Sequence, residues 1–147
     1  MIYEDIGITN PRDRLTFFEA DLAVSQTDTP LHRVATSGAA KIDSVEMVAQ
    51  WDGFIVGLGY VLAANKTAGA LEFNPTINGT AVTFGVVAAD AALKGVKTAP
   101  ANGINGVPFK KGDLIGCAYT SDANLLPAAS VDVAVDMFIE YRGADRL

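Results

Sequence analysis

The stretch from Val131 to Tyr141 limits the fold of this chain more than any other. Apolar residues recur at every second position: Val131, Val133, Val135, Met137, Ile139 and Tyr141. Asp132, Ala134, Asp136, Phe138 and Glu140 fill the positions between. Successive side chains of a strand point to opposite faces, so this pattern puts one face in a core and the other outside it. The density of valine suits a pleated surface.

The same period recurs along the chain. Phe18, Ala20, Leu22 and Val24 alternate with Glu19, Asp21 and Ser25, and Val45, Met47, Ala49 and Trp51 alternate with Glu46, Val48 and Gln50. Leu71, Phe73 and Ile77 alternate with Glu72, Asn74 and Thr76. Asn78-Gly79 follows, a pair suited to a tight hairpin turn whose central residues take positive φ. Val82, Phe84 and Val86 then continue the far side.

Two segments are apolar on both faces. Phe54, Val56, Leu58, Tyr60 and Leu62 make a bulky face, and Ile55, Gly57, Gly59, Val61 and Ala63 a smaller one. Ile115, Cys117 and Tyr119 alternate with Leu114, Gly116 and Ala118 in the same way. A strand apolar on both faces is covered on both. The second cover is another sheet, an arm or another subunit, and glycine lets a neighbour approach closely. Gly57, Gly59, Val61, Gly116 and Ala118 are therefore candidates for a subunit interface.

Helix signals are weak. Val87 to Lys97 reads as a short helix ending near Gly95 or as a loop. Asn10-Pro11 to Arg14 reads as a turn or a short helical turn. Ala99 to Val107, with Pro100, Asn102-Gly103 and Asn105-Gly106, reads as a long turn-rich loop. About eight strands at spacings of roughly 8–12 residues point to an all-β antiparallel sandwich, of which the jelly roll is the eight-stranded form. The 147 residues fit one such domain,.

Composition removes several classes of chemistry. The net charge is −6, with 11 Lys and Arg against 17 Asp and Glu. Nucleic-acid binding needs clustered cations, so it is not expected. The longest apolar run, Phe54 to Ala64, is shorter than the roughly 18 residues of a membrane helix. The N-terminus lacks a signal-peptide pattern, so synthesis in a cytoplasm is expected. One cysteine makes no intrachain disulfide, and one histidine makes no multi-histidine metal site,.

The reactive residues have plain structural readings. His32 reads as part of a strand with no nucleophile pattern around it. Cys117 points inward between Ile115 and Tyr119 and behaves as a small hydrophobe. Asp132, Asp136 and Glu140 read as a solvated strand face. Residues four apart on a strand are about 13 Å apart, too far for a glycosidase pair. Gly112-Asp113 reads as a turn whose carboxylate bonds local N–H groups. Ser121-Asp122-Ala123-Asn124 lacks the EF-hand pattern. No catalytic residue, metal or cofactor is expected, and the protein is not expected to be an enzyme.

From Trp51 to Tyr141 the order of features resembles the jelly-roll modules of tailed-phage virion proteins. The carriers are Gly53 to Tyr60, Thr67-Ala68-Gly69-Ala70-Leu71, Asn78-Gly79-Thr80, Phe109 to Gly116, Thr120-Ser121-Asp122 and Val131 to Val135. Tumour-necrosis-factor-like and C1q-like trimers share a comparable layout. The resemblance is one of strand and turn spacing, and the first fifty residues lie outside it. It implies a homotrimeric structural protein on the capsid exterior, a decoration or cement protein bound to the major capsid protein. It also implies an extended N-terminal arm over residues 1–13, before a jelly-roll domain over 14–147. Tyr3, Ile6 and Ile8 are the apolar residues by which that arm would add a strand to a partner sheet edge. The alternative is the head of a fibre that binds a glycan or host surface through its loops, with Asn102, Asn105, Tyr119, Asp122 and Asn124 as candidates.

Overall fold

In a computed structural model, which describes residues 12–33, 46–98 and 106–142, the alternating segments become strands of two antiparallel sheets. Among the described residues there is no helix. In chain order the strands are β1 (Arg12–Glu19), β2 (Thr29–Pro30), β3 (Glu46–Val48), β4 (Gly53–Leu62), β5 (Leu71–Ile77) and β6 (Thr80–Ala81). β7 (Val86–Val87), β8 (Lys94–Thr98), β9 (Val107–Phe109), β10 (Leu114–Ser121) and β11 (Val133–Tyr141) follow.

The first sheet runs β1-β11-β4-β8, with β9 also on β4. The second runs β2-β10-β5-β6, with β3 also on β10 and β7 also on β5. Three outer positions are thus each filled by two short segments. Eleven segments occupy eight places, and the chain passes repeatedly from one sheet to the other. The first and last strands lie side by side, which is the jelly-roll arrangement of a sandwich.

The core lies between the sheets. Val135, Met137 and Ile139 of β11 and Ile55 and Leu58 of β4 meet Phe73 of β5 and Ile115 and Cys117 of β10. The rings of Tyr60 and Phe73 are 5.2 Å apart across the two layers. All six apolar alternating positions from Val131 to Tyr141 are buried, as the period-2 pattern requires.

The β5–β6 hairpin forms at Asn78-Gly79, with φ of 52° and 81°. Its far side is broken. Val82 still donates to the Pro75 carbonyl at 2.9 Å, but Thr83 to Gly85 leave the ladder before β7. Gly85 packs where Asn74 and Glu72 fold over it, leaving no room for a Cβ.

Four expectations are corrected. β1 buries Leu15 and Phe17, the phase opposite to Phe18 and Ala20, while Leu22, beyond the strand, is buried as its alternation suggests. Its pairing with β11 sets that phase, placing Phe17 opposite Val135. Arg12 to Arg14 form no turn but the start of β1, so Arg12 and Asp13 already belong to the sheet. Val87 to Lys97 is neither a helix nor one loop, since Lys94–Thr98 pairs with β4. In β4 the two faces exchange partway: Ile55 is buried, and so are Leu58, Tyr60 and Leu62. The register against β11 shifts between Phe138 and Ile139, because β4 carries one extra residue, Val56. Such a bulge flips the parity of everything beyond it.

Candidate functional site

The bulge sets the outer face of the first sheet as four rows across β1, β11, β4 and the β8–β9 edge. Arg12, Glu140, Phe54 and Pro108 form the first row, and Arg14, Phe138, Gly57 and Thr98 the second. Thr16, Asp136, Gly59 and Val96 form the third, and Phe18, Ala134, Val61 and Lys94 the fourth.

The β1 side of this face is charged, and its charges face one another. The Arg12 guanidinium lies 3.3 Å from the Glu140 carboxylate, which a second guanidinium, Arg142, approaches at 3.5 Å. Arg142 also lies over the Phe54 ring, 4.8 Å from its centre. Asp136 accepts from the Thr16 hydroxyl at 2.8 Å and lies 4.0 Å from Arg14. Glu140 is buried, not solvated as its place in the alternation suggests, because two arginines cover it.

The β4–β8 side is apolar and open. Val96 is 74% exposed, Val61 56% and Phe138 44%. A Cβ on Gly57 would touch the Phe138 side chain at 3.4 Å, so that ring leans over the glycine. Gly59 has no such cover. A Cβ there would meet only the Gly95 carbonyl at 3.4 Å and Val96 Cγ2 at 3.9 Å within contact range. Gly59 is the floor of a depression between Phe138, Val61 and Val96.

The interface candidates therefore divide. Gly57, Gly59 and Val61 come together on this face. Gly116 and Ala118 lie on β10 in the other sheet and are buried within the chain. Sequence reasoning missed Phe138 and Val96. Phe138 sits in the acidic row of β11, where a large ring was the available signal, and Val96 lies in the segment left between helix and loop.

The loop candidates are not assembled into a site. Asn102 and Asn105, like Tyr3, Ile6 and Ile8 of the arm, lie outside the described residues. Tyr119 points into the core, and its hydroxyl accepts from the Ala23 N–H at 3.2 Å. Burial pushes its phenol above the usual range. Asp122 accepts from the Asn124 N–H at 3.0 Å, a local turn,.

The remaining polar residues are tied into structure. Asp132, just before β11, accepts from the Asp21 N–H at 3.0 Å, so it, Asp136 and Glu140 each serve a separate contact. His32 exchanges backbone hydrogen bonds with Phe18, and its Nε2 is 3.6 Å from Glu19. Burial pushes the Cys117 thiol far up. Asp113 accepts from the Lys110 N–H at 2.8 Å and from the Asn78 amide at 3.1 Å, as expected of a turn carboxylate. Lys66 is buried, and its ammonium holds the Gly69 carbonyl at 2.5 Å and the Asp90 carboxylate. Among the described residues no group of three or more His, Cys, Asp or Glu is placed to hold a metal ion. No described helix is long and apolar enough to cross a membrane.

No protein-family model matches the chain, and no curated protein matches it in sequence. Among solved structures, the globular domain of zebrafish complement 1qA protein is similar over 88% of this chain and 97% of that one, at 10% identity and a TM-score of 0.43. A likeness this loose carries no argument about function.

Proposed function

We propose that this chain is a non-enzymatic structural protein that works by assembling with copies of itself, as a homotrimer that decorates and stabilises the capsid of a tailed phage. One observation carries the self-assembly: three contiguous strands of the first sheet present large apolar side chains outward, with Val61, Val96 and Phe138 all exposed in the single chain. A contiguous apolar patch on one face is a mark of interaction surfaces. On the β1 side of the patch, Glu140 and Asp136 already face arginines of the same chain. A contact of copies through the patch resembles a core divided between subunits.

The capsid and the trimer rest on the resemblance of strand and turn spacing between Trp51 and Tyr141. In this reading the N-terminal segment holds the major capsid protein, and the assembled form sits on the exterior of the virion. The test is co-sedimentation of the full chain with purified phage capsids, followed by heating with and without it. Bound protein and capsids that open at higher temperature support the reading. Capsids that neither bind it nor change their opening temperature overturn it, and hits on a glycan array would favour a fibre head instead.

A further inference from the structure

We propose that Asn78 is a modification site: a latent deamidation site that the grip of Asp113 and Leu114 on its side-chain amide keeps closed, and whose conversion to aspartate loosens the β5–β6 turn from β10. This chemistry is a property of the single chain and needs no assembly.

Asn78-Gly79 has the parts for the reaction. The Gly79 nitrogen attacks Cγ of the Asn78 amide and gives up its proton to water. The Cγ–Nδ2 bond then breaks and ammonia leaves. Water opens the resulting five-membered imide to aspartate or isoaspartate, so one amide and one water become one carboxylate and one ammonium. Glycine has no Cβ, which leaves the attacking nitrogen unhindered. Asn78 and Gly79 are both exposed, and a Cβ on Gly79 would meet nothing within 4 Å, so water has access.

The amide is held away from that nitrogen. Its Oδ1 accepts from the Leu114 N–H at 2.9 Å, and its Nδ2 donates to the Asp113 carboxylate at 3.1 Å. Both partners stand at the start of β10, whereas Gly79 leads into β6, and β10 and β6 lie on opposite sides of β5. The amide carbon is drawn one way and the attacking nitrogen goes the other. A third tie runs from the Asn78 N–H to the Leu114 carbonyl at 2.8 Å. Ring closure needs the side-chain bonds broken first, so the rate follows local opening of the turn.

The product fits this turn badly. An aspartate at position 78 has no N–H to give Asp113 and sets a second carboxylate against the first. The Lys110 N–H still serves Asp113, but the Lys110 ammonium is already 3.7 Å from Asp52. Like charges this close repel. Loss of ammonia makes the change one-way.

The test is peptide mapping of the full chain after incubation at mildly alkaline pH, scoring aspartate and isoaspartate at position 78. Folded wild type is compared with the guanidinium-unfolded chain and with folded Asp113→Ala. The expected rate is at least about tenfold slower in the fold than unfolded, and about tenfold faster in Asp113→Ala than in folded wild type, as for loss of one hydrogen bond to a charged group. Equal rates in the folded and unfolded chain, or an unchanged rate in Asp113→Ala, overturn the guard. Asn78→Asp makes the product directly and keeps the test open if Asp113→Ala fails to fold. Its urea midpoint should fall below that of wild type and recover when Asp113→Asn is added. A midpoint equal to that of wild type, or one that Asp113→Asn does not restore, overturns the loosening.

Discussion

The ring of Tyr60 occupies the space that any side chain at position 95 would need. A Cβ on Gly95 would lie 2.5 Å from Tyr60 Cε1 and 3.0 Å from Cζ. β8 lies flat on β4 because Gly95, opposite Tyr60 in the register, has no side chain.

Gly95→Ala is therefore expected to destabilise the fold by about 1–3 kcal/mol, the usual range for overpacking. Tyr60→Leu removes the clash, so the double variant should lose less than the sum of the two single losses. Urea unfolding of the four proteins measures this coupling. Additive losses would mean that the ring moves aside freely.

Lys66 and Asp90 make an asymmetric pair. The lysine side chain is 4% exposed and the aspartate 61%. Asp90→Ala leaves the buried ammonium held by the Gly69 carbonyl without its carboxylate, and should cost about 1–3 kcal/mol,. Lys66→Met removes the buried charge with its partner left in water, and should cost less. Thermal melts of both variants give the ranking, and the reverse order would place the main contribution of Lys66 elsewhere.

Hydrogen bonds from the Lys110 N–H and the Asn78 amide hold the Asp113 carboxyl below its ordinary value of 3.8. A carboxyl depressed in the folded state adds stability above its unfolded value and loses it as pH falls through the folded one. Asp113→Asn should be less stable than wild type at pH 7. The gap should close between about pH 4 and lower values. A gap that stays constant with pH would show that charge has no part in the turn.

Cys117 offers a chemical probe of the core. Burial raises its thiol far above the usual range, so almost no thiolate exists in the native state,. A thiol reagent at pH 8 should label it only at the rate at which the chain opens. Denaturant should speed labelling in step with unfolding. Rapid labelling of native protein would mean that the region around β10 opens locally.

Much of the fold is legible in the residues, because burial on one face of a strand leaves a period-2 trace. β11 and β5 are readable for that reason, and β10 by its apolar run with both faces buried. What escaped depends on pairing between distant segments. Residues 15–24 support two phases of alternation, and only the partnership of Phe17 with Val135 selects one. The exchange of faces in β4 comes from one added residue, Val56, which reads in sequence like any other valine of the strand. Glu140 is covered by Arg142, two residues on, and by Arg12, 128 positions away, and only the pairing of β1 with β11 brings the second. The candidate face was half visible. Gly57, Gly59 and Val61 stood out by their small, apolar alternation, while Phe138 and Val96 join them only through the register.

The split outer strands have a bearing on how large an assembly can grow. An uninterrupted sheet edge is a template on which further chains can stack without limit. Here β2 with β3, β6 with β7 and β8 with β9 present only short runs of two to five residues each. Even the longer β1 is interrupted: Phe18 is bonded to His32, and the Asp13 carboxylate takes the Arg14 N–H. Growth by fibril-like stacking along these edges is thereby discouraged.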